Sequence, residues 1–336
     1  GALRMIASNR GIVVSCGLLV LFAFFPLVSS KLGLDISTVT NVFLFGIAAM
    51  SVNLLVGYTG INAFGNAAFF GLGGYGALLA IKYIHADFVT ALVVGILSGL
   101  LGGLILGPFL LRRRGIYFSL LAIAFGQVFY FIAYRFTDVT GGEDGMTVQR
   151  PLVGLINYKI DDHAFYYLSL VAFAVALLAF WIVVRSPFGK TLQAIRQNEL
   201  RVRYLGLNTD RFIFVALIVS ATLAGLGGTL FGLSNSNVYP LMLDWHQSGD
   251  FVLMSVLGGA GTIWGPLVGS SIFIIGKDVI SSITPLWQIF IGGLFVACVL
   301  GFPKGILGSI FAILEARRAV PPAPSSAPAV AVEPHG

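Results

Sequence analysis

The sequence predicts an all-α polytopic membrane protein: about eight full transmembrane helices plus a glycine-broken re-entrant or short-helix pair (8–10 spans), with cytoplasmic N- and C-termini. Three observations lead there. The 336 residues are 57% hydrophobic and 10% charged, with a mean hydropathy of +0.93, whereas soluble domains carry about 25% charged residues. Apolar runs of about 20 residues, the length a helix needs to cross hydrocarbon, recur along the chain. Two apolar stretches are interrupted by glycine-rich breaks, at 57–66 and 258–265. Backbone freed from helical bonding survives in a bilayer only when buried in protein or lining a wet cavity.

Taken in order, full spans are expected at about residues 11–29, 38–56, 67–84, 88–110, 116–135, 164–184, 211–234 and 287–302. The run at 12–28 follows Arg4 and Arg10 as a signal peptide would. It is long for such a segment and lacks an A-x-A-like cleavage site, so it is read as the first span. Between the last two spans lie shorter apolar pieces at 250–259 and 266–280, each too short to cross comfortably. The domain reading is therefore a cytoplasmic N-terminus at 1–10, a transmembrane domain at 11–310 and a Pro/Ala-rich, largely disordered cytoplasmic tail at 311–336.

Charge placement orients the chain. If residues 1–10 are cytoplasmic and the short pieces dip in from outside and return, Arg112, Arg113, Arg114, the basic residues of 185–211, Lys304, Arg317 and Arg318 all fall inside. Most of the acids fall outside. That is the positive-inside pattern, and it accounts for the net charge of +6 without a nucleic-acid partner. A single crossing at 250–280 would reverse the C-terminal basic residues; two very short crossings would not. Cys16 and Cys298 lie in distant apolar runs and four histidines lack ligand spacing, so neither a disulfide framework nor a metal site is expected.

The 185–211 loop carries six basic residues against Glu199 and Asp210. Pro187 and Gly189 end the preceding span, and Gly206 closes a helix of about 15 residues. Leu192, Ile195, Val202 and Leu205 share a face; Glu199 interrupts it, with Arg196 and Arg203 at i−3 and i+4 to neutralise it. This helix docks into a partner's groove, or it lies on anionic lipid headgroups as an ordinary basic loop. Gly189-Lys190-Thr191 is not a phosphate-binding loop, because the required first glycine falls at Val184 and an apolar span precedes it.

Free backbone at Gly57, Gly60, Gly65, Gly258, Gly259, Gly261 and Gly265, with the side chains of Asn53, Asn62, Asn66 and Gln127, offers a weak polar path through the membrane. The competing reading is that the glycines permit close helix packing and the amides tie helices together. No span holds an unambiguous central charge, which weakens a proton-coupled carrier.

Four segments in this order carry a resemblance: 53–60 with 67–75; Thr140-Gly141-Gly142-Glu143-Asp144-Gly145-Met146; Ala194-Ile195-Arg196-Gln197-Asn198-Glu199 followed by Leu205-Gly206; and Val256-Leu257-Gly258-Gly259 with Gly261-Thr262 and Trp264-Gly265-Pro266. Together they resemble the membrane permease subunits of ATP-driven (ABC) importers for branched-chain amino acids, most closely the LivM type, over roughly residues 38–310. The resemblance implies a bacterial inner-membrane protein, not itself an enzyme. Its implied partners are a second homologous permease subunit, two cytoplasmic ATPase subunits and a periplasmic substrate-binding protein. ATP and Mg would sit on the ATPases, and this chain would bind no cofactor. It further implies that the 190–205 helix is the coupling helix, with Gly189, Ala194, Ile195, Arg196, Asn198, Glu199, Arg203 and Gly206 at the ATPase contact. The Glu143-Asp144 pair would meet the binding protein, or is simply solvated. The chain departs from the family's Ser-Leu-Gly-His at Ala63-Phe64-Gly65-Asn66. Importers of urea, short amides or a sugar share the architecture, and a self-sufficient carrier or channel is the competing class.

Overall fold

The structure is a computed structural model that describes residues 35–84, 87–148, 152–153, 158–159, 161–301 and 305–309. The expected first span at 11–29 and the tail at 311–336 lie outside the described residues.

Helix α1 (Ile36–Asn53) opens the described bundle and runs on as a π-helical turn, Leu54–Thr59, that ends in a left-handed Gly60 (φ 77°). After the break come α2 (Asn66–Tyr83), α3 (Phe88–Leu110), α4 (Ile116–Arg135) and α5 (Asp162–Arg185). Two short helices follow, α6 (Pro187–Gln197) and α7 (Glu199–Tyr204). Then come the long α8 (Thr209–Asn235), the short α9 (Trp245–Gly258), α10 (Gly265–Ile283) and α11 (Trp287–Gly301). At the end opposite α6 and α7, strand β1 (Met146–Thr147) pairs antiparallel with β4 (Asn237–Val238), and β2 (Leu152–Val153) with β3 (Tyr158–Lys159).

Among the described residues six helical segments are long and apolar enough to cross a membrane: Ile36–Thr59, Phe88–Leu110, Ile116–Arg135, Asp162–Arg185, Thr209–Asn235 and Gly265–Ile283. Helix α2 has the length but is diluted by glycines and Lys82. Helix α8 packs along α1, α2 and α3, and α1 also packs on α5 and α10. The apolar window of α1 is 83% buried and that of α4 only 28%, which puts α1 at the centre and α4 at the rim. Exposed Leu101, Ile105, Leu120, Phe131 and Val171 on the rim suit a hydrocarbon solvent.

Glycine brings the central helices together. A Cβ on Gly99 would sit 2.7 Å from Gly225 Cα, and one on Gly73 would collide with the Gly225 backbone. Backbone therefore rides on backbone between α2, α3 and α8, the small-residue packing that membrane helices use in place of hydrophobic burial. Four rings, Phe45 of α1, Phe70 of α2, Phe231 of α8 and Phe251 of α9, fill the space beside them with centroids 5.0–5.9 Å apart.

Two expectations are corrected. The loop helix of about 15 residues is two helices. Asn198 leaves the α region (φ −163°, ψ 101°), and its side-chain oxygen accepts the Arg201 N–H at 2.9 Å, an N-cap that ends α6 and starts α7. Consequently Leu205 leaves the buried face and stands exposed, while Leu192, Ile195 and Val202 are buried. The second correction concerns 266–280. It lengthens at both ends to the 19 residues of α10, enough to cross, while α9 has only 14. The 259–264 connection between them reaches the end of the bundle that carries α6, so the pair is a short helix and a long one and does not turn back midway.

Candidate functional site

The two glycine breaks and the loop helix, far apart in sequence, meet at one junction. The Asn53 side chain is fully buried at the last turn of α1. Its Nδ2 donates to Thr262 O at 2.7 Å, and its Oδ1 accepts the Gly261 N–H at 2.8 Å. One amide thereby satisfies a donor and an acceptor of the second break. From α6, Arg196 donates through Nη1 to Gly57 O. That carbonyl lies at the C-terminal end of the α1–π segment, where carbonyls lack helical partners and the helix dipole favours a cation. Gly57 has no room for a side chain: a Cβ would collide with Asn53 Oδ1 and Gly261 N. Gly60 combines a positive φ with close approach, since a Cβ would lie 2.8 Å from Arg196 Cγ. A π-turn of this kind is common where a helix is adapted for function.

Arg196 therefore does not neutralise Glu199, as the continuous-helix reading expected. Glu199 Oε1 instead accepts from Arg203 Nη2 at 2.9 Å and from Thr209 Oγ1 at 3.0 Å, and faces Arg114 Nε at 3.4 Å. Arg114 and Arg203 also reach Asp210. This cluster joins α7 to the α3–α4 connection and to the start of α8. Gly189 is pressed on the Val184 carbonyl at the α5–α6 corner, where the Ser186 side chain caps α6 by accepting the Gly189 N–H. Ala194 and Gly206 are exposed; Gly206 ends α7 with φ 83°.

The remaining predicted residues separate. Asn66 is buried and its Nδ2 donates to Ser51 Oγ at 2.9 Å and Ser220 Oγ at 2.8 Å, tying α1, α2 and α8 together. Gly65 packs on Ala122. Asn62 is exposed, and its carbonyl accepts from Ser119 Oγ. Gly258 and Gly265 approach each other too closely for a side chain, and Gly259 and Gly261 hold positive φ in the tight 259–264 turn. At the opposite end Glu143 and Asp144 are exposed, Glu143 accepting from Tyr134 Oη at 3.1 Å.

Gln127 leads to a cluster that hydropathy did not reveal. Its Nε2 donates to Asp244 Oδ1 at 2.5 Å, and His246 Nδ1 lies 2.5 Å from Asp244 Oδ2. Gln127 stands eleven residues into α4 and eight from its end, about 17 Å and about 12 Å along the axis. The first turn of α9 thus begins near the middle of the bundle. The approach to it, Pro240–Leu243, lies on Gly71 of α2 and near Gly126 of α4. Asp244 and His246 flank an aromatic residue just ahead of an apolar run; a carboxylate and an imidazole two residues apart at that boundary were the only signal available.

A family model described as "Branched-chain amino acid transport system / permease component" matches residues 18–299. The chain belongs to that permease family. The LivM high-affinity branched-chain amino acid permease of Escherichia coli K12 is 27% identical over 314 residues, 86% of this chain and 73% of LivM. The LivH permease of the same organism is 29% identical over 136 residues, 40% of this chain and 44% of LivH. The autoinducer 2 import permease LsrC of Photorhabdus laumondii is 31% identical over 130 residues, 36% of this chain and 39% of LsrC. No solved structure matches. Like its relatives, this branched-chain permease family member is a multi-pass membrane protein and a transport subunit.

Proposed function

We propose that this chain is the LivM-like permease subunit of a bacterial inner-membrane importer that moves branched-chain and other hydrophobic amino acids. Two ATPases on the α6–α7 side drive it, a second permease completes the pathway, and an external binding protein delivers cargo near Glu143 and Asp144. The observation that carries the reading is the Arg196–Gly57 and Asn53–Gly261 junction, in a chain of this family. It gives a push on α6 a direct route to both breaks in the helices. The Glu199 cluster carries the same push to α3, α4 and α8. A push on α6 reaches the break backbone because the Arg196 side chain bonds a main-chain carbonyl directly, with no loop between.

The test is a mild-detergent purification of the chain from its native membrane with mass spectrometry of what accompanies it. Two ATPases and a second permease support the importer; the folded chain alone at good yield supports a self-sufficient carrier or channel. A second reading, the same machine with another small solute, is favoured by one observation: LsrC, a relative, is named for autoinducer 2 import. Competition of labelled leucine uptake by unlabelled solutes in the reconstituted complex separates the two.

A further inference from the structure

The first two turns of α9 present an uncovered face. The His246 side chain is 72% exposed and Trp245 44%, with Trp245 lying against the imidazole at a centroid distance of 3.9 Å. Gly249 follows on the same face, and a Cβ there would meet nothing within 4 Å, so a notch opens beside His246. Asp250 is one helical turn beyond His246, mostly covered but not sealed, and within electrostatic reach of both His246 and Lys277. Behind the face, Asp244 is nearly covered and held by Gln127. It takes His246 Nδ1, in a side chain that is otherwise mostly exposed.

Depth decides what this face meets. Gln127 places the cluster about 12 Å inside the end of α4. Ionisable side chains at that depth are costly against lipid and face a bundle interior or a water-filled cavity. Among the described residues, the apolar faces of α3, α4 and α5 carry no comparable group. The neighbouring Gln247 also keeps a buried side-chain nitrogen without a partner in this chain.

We propose that His246 and Asp250, on either side of the Gly249 notch, form a mid-membrane binding site for the charged head of an α-amino acid. The substrate carboxylate meets His246 at the N-terminal end of α9, where the helix dipole adds to the attraction. The substrate ammonium meets Asp250. Residues four apart on a helix hold their Cβ atoms about 6 Å apart, which leaves room for both ends of a zwitterion between the two longer side chains. Trp245 supplies an apolar wall for the side chain. Asp244 and Gln127 are positioning residues: they fix the imidazole and do not touch the substrate. The inference rests on the amino-acid reading of the cargo given above, and goes beyond it by placing the head group.

The test uses the full reconstituted complex with Cys16→Ser, Cys298→Ser and Gly249→Cys, labelled with a charged, membrane-impermeant thiosulfonate. The expected result is rapid labelling despite the depth, slowed about tenfold by L-leucine at roughly ten times its Kd. 4-Methylpentanoate, which is leucine without its ammonium, and isoamylamine, which is leucine without its carboxylate, give no such protection. Adding His246→Gln or Asp250→Asn keeps the labelling, which reports assembly and water access, and removes the leucine protection. Labelling by an uncharged maleimide but not by the charged reagent puts the face against lipid or protein and overturns the site. Equal protection by all three solutes, or leucine protection that survives both substitutions, also overturns it. If the unsubstituted complex imports leucine while the introduced thiol stays unprotected, the site fails and the importer reading stands. If it imports no leucine, the amino-acid reading of the cargo fails first.

Discussion

Replacing Arg196 by alanine removes the side chain that links α6 with the Gly57 carbonyl. A hydrogen bond to a charged group contributes about 1.5–3 kcal/mol, and a cation at a helix C-terminus adds about 0.3–1 kcal/mol where exposed. Arg196 is exposed and its bond to Gly57 only part-buried, so water can replace part of it and the lower end, about 1.5 kcal/mol, is the appropriate figure. That corresponds to roughly tenfold in the population of the joined state. The fold does not depend on it, because Leu192 and Ile195 still bury α6. The assay is a paired measurement of ATP hydrolysed and leucine accumulated in proteoliposomes. Arg196→Ala should keep near-normal complex yield and lose about tenfold in leucine moved per ATP, while Arg196→Lys, which keeps the charge and an N–H donor group but not the guanidinium fork, recovers part of it. An unchanged ratio in the alanine variant, or equal loss of assembly in both variants, would refute the argument that this bond transmits motion.

Glu199→Ala should leave assembly near normal, since exposed ion pairs contribute only about 0–1 kcal/mol each, yet uncouple hydrolysis from uptake by freeing α7 from Arg114 and Thr209; unchanged uptake per complex would sink this. Asn66→Ala leaves Ser51 and Ser220 without their shared donor and should lower stability by about 1–2 kcal/mol, read as a lower melting temperature in detergent with no change in the ATP-to-leucine ratio. Gly57→Ala forces a methyl against the Gly261 backbone; the expected outcome is a folded complex that binds ATPases but transports poorly, and wild-type uptake would show the breaks need not touch.

The spans were legible because lipid imposes a simple rule on composition: 88–110 and 116–135 coincide with α3 and α4, and 211–234 lies inside α8. The regions of interest at the breaks were legible for the same reason, glycine being conspicuous where a helix should continue. Their joining was not. Nothing in the spacing of Asn53 and Gly261 says that one amide will cap the other turn, because that contact is set by how α10 packs on α1. Arg196 pairs with Glu199 only in an unbroken helix; Asn198 sits at the critical position, and an asparagine followed by Glu199 is as good an N-cap as a helix interior residue. The α9 cluster was hidden because hydropathy averages over a window. Asp244, His246 and Asp250 dilute the first half of that window, so the segment read as beginning at 250, after the polar turn that lies deepest in the argument about cargo.

The glycine contacts between α2, α3 and α8 have a mechanical meaning. Where main chain bears directly on main chain there is no rotamer to change, so those three helices can travel only as one block. The α9–α10 corner, where Gly258 meets Gly265 and Gly269 meets the Met254 carbonyl, is a second such block. Between them stand Phe45, Phe70, Phe231 and Phe251, rings that meet tilted or edge to face, side chain on side chain. Any movement of one glycine-welded block against the other would have to be taken up in this aromatic layer, where side chains and not main chain make the contact.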